Sequence, residues 1–220
     1  MVDIIREFAD KSIIISTCKA EDLDRIDVRC EVKKYEAGKK CHKLLPECTT
    51  VIIVGQVINS GDDVMRKGLG ALLGDDFPSY RGSSKVASAI TQKLQSMGFS
   101  ARKTVGISIK NACVLSGIGV YGKNALIINP QYGTYIRYAA VLTNWIPDVY
   151  GQPLQKFNPC QNCDKCLHAC PGHCLEPYKV DGPKCMCTYV EKGQKPLQTL
   201  PMCSICQDVC PWNDQASVNG

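Results

Sequence analysis

Long hydrophobic runs are missing from this chain of 220 residues. The longest, Tyr138–Leu142, falls far short of the roughly 20 apolar residues that a membrane-crossing helix needs. The first residues, Met-Val-Asp-Ile-Ile-Arg-Glu, lack a basic stretch followed by an apolar one, so no secretion signal is expected. Charged residues are few at 21%, and apolar residues reach 45%, which excludes wholesale disorder. Low-complexity sequence is absent. The expectation is a cytoplasmic, soluble protein without a membrane partner.

Cysteine, by contrast, is abundant. Residues 151–220 hold ten of the fifteen, and residues 1–150 hold Cys18, Cys30, Cys41, Cys48 and Cys113. Thiols stay reduced inside cells, so a dense cluster there points to metal rather than disulfides. The uneven distribution predicts two domains, 1–150 and 151–220, with the boundary in the polar stretch that begins at Gly151.

The run Cys160-x2-Cys163-x2-Cys166-x3-Cys170-Pro171 is the bacterial ferredoxin spacing. Its first three thiolates serve one [4Fe–4S] cubane, and the fourth faces a second. Pro171 turns the chain out of the short helix. A partner run, Cys203-x2-Cys206-x3-Cys210-Pro211, lacks one cysteine. Crossing over gives Cys160, Cys163, Cys166 and Cys210 to the first cluster. Cys170, Cys203 and Cys206 go to the second, with Cys185 or Cys187 as its fourth ligand. Cys174 is spare. A zinc ribbon would need one tetrahedral set of four, whereas seven cysteines here fall into two runs that end in Cys-Pro. His168 and His173 lie among them and are read as surface or supporting residues, and His42 as structural. A [4Fe–4S]2+ core on four thiolates carries about −2, so two clusters would reduce the formal +5 to about +1. The basic surplus is therefore a poor argument for nucleic acid.

The N-terminal part alternates strand and helix patterns. A short amphipathic helix is expected over 3–9, and strands over 12–16, 49–55, 125–129 and 135–142. Helices are expected over 84–97, where Val86, Ile90, Leu94 and Met97 share one face and Gly98 stops it, and over 108–115. This is an α/β pattern. Gly117-Ile-Gly119-Val-Tyr121-Gly122 matches G-x-G-x-x-G, but it follows a helix and precedes a strand. No acid stands about 20 residues on, so the dinucleotide reading fails. What remains is a structural turn, or a loop whose bare backbone meets another flat cofactor.

Taken together, Ser116 to Gly133, the four-cysteine run, Glu176-Pro-Tyr-Lys-Val-Asp181 and Cys210-Pro-Trp-Asn213 resemble epoxyqueuosine reductase. They also resemble the iron–sulfur part of corrinoid-dependent reductive dehalogenases. The resemblance implies a nitroreductase-related α/β domain carrying a cobamide (cobalamin), followed by a ferredoxin-like domain whose two [4Fe–4S] clusters feed it single electrons. It favours Cys185 as the missing ligand and Cys187 as the reserve, and it sets Gly117, Gly119, Tyr121, Gly122 and Lys123 beside the corrinoid. A general acid would still be needed, and Tyr121, Tyr132 and Lys123 are the nearby candidates, each of them otherwise read as structural. Two departures stand out. The family carries an acid before the helix that leads into the glycine loop, and Lys103–Ser108 contains none. The family also continues past Pro-Trp-Asn into a helical repeat region that helps hold tRNA, whereas the chain ends at Gly220. The expectation is an iron–sulfur redox protein that passes electrons to its own or a partner's corrinoid, with nucleic acid not a partner. The alternatives are a stand-alone electron carrier and an epoxyqueuosine reductase acting on tRNA.

Overall fold

A computed structural model describes residues 5–26, 38–58, 81–182, 184–185 and 204–216. The fold is mixed α/β. After a 3-10 turn at Arg6–Phe8 come β1 (Ile13–Lys19), α1 (Ala20–Arg25), α2 (Cys41–Leu44), β2 (Thr50–Val57), α3 (Arg81–Ser96), β3 (Ala101–Thr104) and α4 (Ile109–Leu115). Two short strands follow, β4 (Val120–Tyr121) and β5 (Ile127–Ile128), and then β6 (Ile136–Thr143). The cysteine-rich part adds α5 (Lys165–Ala169), β7 (Leu175–Glu176), β8 (Lys179–Val180), α6 (Ile205–Asp208) and α7 (Trp212–Ala216).

Two compact units are present. The first comprises the described residues of 1–57, 80–119 and 137–155; the second comprises those of 58–79, 120–136 and 156–220. This differs from a single cut at 150, because 120–136 packs with the cysteine-rich residues.

In the first unit a four-stranded sheet runs in the order β1-β2-β6-β3. β1 is antiparallel to β2, from Ile13 opposite Gln56 to Lys19 opposite Thr50. β3 is antiparallel to β6, from Ala101 opposite Thr143 to Thr104 opposite Ala140. β2 is β-branched almost throughout, as suits a strand covered on both faces. Its Ile52 and Val54 join Ala87, Ile90 and Leu94 of α3, with Val141 and Trp145, in one buried cluster. Val51 and Ile53, also fully buried, alternate to the other face, and α4 packs on β1 and β2. The α3 stripe is as expected except at Met97, which lies past the helix end and is 48% exposed. The helix expected over 3–9 is reduced, among described residues, to the 3-10 turn.

Both long helices end in the same cap. After α3, Phe99 N–H bonds Leu94 C=O (3.0 Å) and Gly98 N–H bonds Gln95 C=O (3.0 Å), with Gly98 at φ +86°. After α4, Ile118 N–H bonds Cys113 C=O (3.0 Å) and Gly117 N–H bonds Val114 C=O (3.1 Å), with Gly117 at φ +73°. These are Schellman caps, in which a left-handed glycine lets the last carbonyls find donors.

In the second unit β4 pairs antiparallel with β5, β7 pairs antiparallel with β8, and α5 packs on α6. The strand expected over 125–129 shrinks to two residues because Ala125 is left-handed at φ +58°. No helix among the described residues is long and apolar enough to cross a membrane.

Candidate metal centre

The second unit brings four of the expected ligands to one place. Cys160, Cys163, Cys166 and Cys210 all line a single small cavity with Trp212 and Ile128. Cys160 and Cys163 sit on a tight turn closed by Cys163 N–H on Cys160 C=O (3.4 Å). Cys166 lies in α5, which starts after Asp164. Cys210 follows α6, and the packing of α5 on α6 joins the two runs. Burial pushes the Cys210 thiol up to about 11, with the neighbouring Cys160, Cys166 and Cys163 adding to the shift. Burial likewise raises Cys166, reinforced by Cys160 and Cys163. Thiols that oppose one another's ionisation in this way would be relieved by a cationic metal core, so the donor set fits one. Among the described residues no three His, Cys, Asp or Glu side chains are grouped to hold a single ion. Cubane ligands bind separate irons and need a wider spacing than that.

The cavity wall is apolar on one side. Ile128, Cys160 and Cys210 form a small buried cluster covered by Phe157 and Trp212. The two rings meet edge to face with centroids 4.9 Å apart, and Trp212 Nε1–H donates to Pro159 C=O (3.0 Å).

Residues 120–136 hold both cysteine runs in place. Lys123 N–H donates to Cys160 Sγ (3.5 Å), and Lys123 Nζ donates to Asp164 Oδ1 (2.5 Å). The Asp164 carboxylate holds the Lys123 ammonium above its ordinary pKa. Asn124 Nδ2 donates to Cys206 C=O (2.9 Å). Asn213 Oδ1 accepts from Thr134 N–H (2.8 Å) and Thr134 Oγ1 (2.9 Å). Gln207 Nε2 donates to Thr134 C=O (2.7 Å). Gly133, at φ +61°, lies so close to Asn213 and to the Trp212 carbonyl that a Cβ would overlap both. The Asn129-to-Gly133 and Cys210-to-Asn213 motifs are thus two halves of one clamp.

Two glycines of the loop are closely packed by the chain itself. Gly117 caps α4, and a Cβ there would strike the Gln152 carbonyl oxygen. A Cβ on Gly122 would lie 2.8 Å from Asn124 Oδ1 and from Ile128 Cδ1. Gly119 is buried, and Tyr121 lies half-buried in β4. Lys123 is committed to Asp164. Tyr132 N–H donates to Asn129 Oδ1 (3.0 Å). At both Gly117 and Gly122 an added Cβ would therefore meet the chain itself.

Of the second expected set, Cys170, Cys185 and Cys206 are described, whereas Cys203 and the reserve Cys187 lie outside the described residues. Cys174, read as spare from the sequence, is buried with its Sγ 3.4 Å from Cys170 Sγ. The Cys-Pro-x-x-Cys spacing was the available signal. Cys170 is held below the ordinary thiol range: burial opposes ionisation, but the Cys174 N–H and thiol, with the N–H groups of Gly172 and His173, prevail. His168 and His173 are exposed. His42 Nδ1 lies 2.6 Å from Asp24 Oδ2 in the first unit.

No protein-family model matches the chain. It is 36% identical over 110 residues to the epoxyqueuosine reductase of Leadbetterella byssophila, spanning 46% of this chain and 35% of that protein. It is 36% identical over 109 residues to that of Bacillus subtilis, spanning 44% and 27%. The matches therefore cover about a third of each curated relative. Among solved structures, a selenomethionine-labelled epoxyqueuosine reductase superposes with a TM-score of 0.67 at 21% identity, over 96% of this chain and 64% of that one. An epoxyqueuosine reductase with an epoxyqueuosine-modified tRNA-Tyr stem loop gives 0.65 at 20%, over 97% and 64%. A catabolic reductive dehalogenase in complex with 3-bromo-4-hydroxybenzoic acid gives 0.66 at 17%, over 94% and 31%. In sequence this chain resembles the epoxyqueuosine reductases, and its fold is the one they share with reductive dehalogenases.

Proposed function

We propose that the chain is an iron–sulfur reductase of the epoxyqueuosine type, acting on a tRNA-borne epoxide with electrons drawn through two [4Fe–4S] clusters. The observation that carries this reading is the convergence of Cys160, Cys163, Cys166 and Cys210 on one cavity, in a chain whose curated relatives are epoxyqueuosine reductases. A tRNA stem loop accompanies one structural neighbour. The expectation that nucleic acid is not a partner is therefore withdrawn.

The first ligand set is Cys160, Cys163, Cys166 and Cys210; the second draws on Cys170, Cys185, Cys203 and Cys206. When bound, each cluster takes up and releases single electrons. The protein's part is to set the surroundings of the sulfurs. Lys123 N–H on Cys160 Sγ stabilises negative charge there, and donors of this kind raise a cluster's potential. Phe157 and Trp212 keep water from one side of the site. A corrinoid as electron acceptor is supported by the resemblance and by a reductive dehalogenase neighbour in fold for which B12-dependent dehalogenation is described. The electron-carrier reading is favoured by one feature, the lack of a carboxylate in Lys103–Ser108.

The test is anaerobic purification, iron analysis, and incubation with cobalamin, a low-potential reductant and epoxyqueuosine-containing tRNA. About eight irons per chain and the appearance of queuosine support the proposal. Eight irons with no queuosine, under conditions where an authentic reductase turns over, would leave the electron carrier. Zinc in place of iron would end both readings.

A further inference from the structure

Cys41 and Cys48 have no part in either ligand set, and both lie in the first unit. Their sulfurs are within hydrogen-bonding reach of each other, and neither is in a disulfide. Cys41 is fully buried, whereas Cys48 is half-buried. One thiol is open to a reagent and the other is held behind it.

The contact is built by the local backbone. Cys41 opens the single turn of α2 and is fixed there by its N–H on Asp24 Oδ1 (2.5 Å). Leu45 N–H closes that turn on Cys41 C=O (2.9 Å), and Cys48 N–H bonds Leu45 C=O (3.0 Å), which brings the chain back. From β3, Arg102 Nη1 donates to Leu44 C=O (2.9 Å). On the far side Cys48 Sγ donates to Thr50 C=O (3.4 Å).

The two thiols differ in acidity. The Cys41 thiol beside it, and to a lesser degree the Thr143 N–H, hold Cys48 below the ordinary thiol range against the effect of burial. Cys41 is pushed above that range by Cys48, by burial and by the Asp24 carboxylate. Cys18 and Cys113 in the same unit are buried and also raised. Thiol–disulfide exchange needs an accessible thiol of lowered pKa, and a second thiol in contact lets it resolve.

We propose that Cys48 and Cys41 are a redox-active dithiol, the attacking and the resolving thiol, which reduces a small-molecule disulfide such as glutathione disulfide and closes to a Cys41–Cys48 bond. The Cys48 thiolate attacks one sulfur of the reagent. The reagent's S–S bond breaks, and its first thiolate leaves and takes from water the proton that Cys48 gave up. The Cys41 sulfur then attacks the Cys48 sulfur, and the second thiol leaves with the Cys41 proton. Two protein thiols are oxidised, and one disulfide is reduced to two thiols. The step uses no iron, so it stands apart from the clusters of the proposed function.

The test uses the full chain, kept anaerobic and equilibrated with mixtures of glutathione and glutathione disulfide. Remaining thiols are blocked with N-ethylmaleimide as the protein is denatured. Trypsin cuts after Lys40, Lys43 and Arg66, so a Cys41–Cys48 bond is read by mass spectrometry as peptide 41–43 joined to peptide 44–66. Wild type is expected to give this joined pair, and dithiothreitol to remove it. Cys41→Ser should instead keep one glutathione on Cys48. Cys48→Ser should leave Cys41 unmodified, because Cys41 is 0% exposed. The wild-type readout depends on no variant folding. Absence of the joined pair from native wild type at every mixture overturns the inference. So does a bond from Cys48 to Cys18, or joining that appears only after the chain is unfolded in urea.

Discussion

Asp24 does more than its position on a six-residue helix suggests. Its carboxylate accepts N–H bonds from Cys41 (2.5 Å) and His42 (3.3 Å), the first residues of α2, and meets His42 Nδ1. It thereby caps that helix from another element. Burial works against its charge, but these donors hold its pKa below the ordinary value. Its stabilising contribution is present at neutral pH and lost as pH falls through the lowered value. Asp24→Ala is expected to cost about 1–2 kcal/mol in chemical denaturation at pH 7, and less in strong acid. Cys18 has the opposite sign. Burial first, then Asp22 and Cys48, pushes its thiol up from 9.0 to about 12. The stability from its neutral form is complete below pH 9 and lost as pH climbs toward 12. Between pH 9 and about pH 10.5, wild type should lose about 2 kcal/mol more than Cys18→Ala. Equal pH slopes in the two proteins would refute this.

At the scale of elements, the two helix caps give a paired prediction. Gly98 and Gly117 have the same left-handed role, but a Cβ at Gly98 meets nothing within 4 Å, whereas at Gly117 it strikes Gln152. Gly98→Ala should therefore cost about 1–2 kcal/mol from backbone strain alone. Gly117→Ala should cost about 2–5 kcal/mol, strain plus overpacking, in protein free of any cofactor. Equal costs would show that the packing at Gly117 yields. Which elements were legible in the sequence follows from pattern strength. α3 carries apolar residues at the helical period and β2 and β6 carry unbroken apolar runs, and all three lie where expected. β3, Ala-Arg-Lys-Thr, is short, largely polar and on the sheet edge, so nothing in its sequence marks a strand. α1, Ala-Glu-Asp-Leu-Asp-Arg, is too short to show a period.

For the whole molecule, the cysteine spacing foretold which four thiols converge, including Cys210 from the other run. It did not foretell that residues 120–136 would pack with them. That association depends on Asn124 with Cys206 and on Thr134 with Asn213, contacts between residues some eighty positions apart that no local pattern encodes. Cys210→Ser should abolish the cluster built on Cys160, Cys163 and Cys166, halving the iron from about eight to about four. Loss confined to the other cluster's resonance signal would show that the crossover is wrong. A fragment of residues 151–220 contains every proposed ligand but not the clamp. It should take up fewer than about four irons under conditions in which the full chain fills both sites.

Because the cysteine-rich unit borrows a stretch from the middle of the polypeptide, it is not a cassette that end-to-end gene fusion could add or remove. A lineage that dropped the first 150 residues would have to replace residues 120–136 to keep that unit packed. The two halves are therefore expected to be inherited together, and natural truncations to fall outside both.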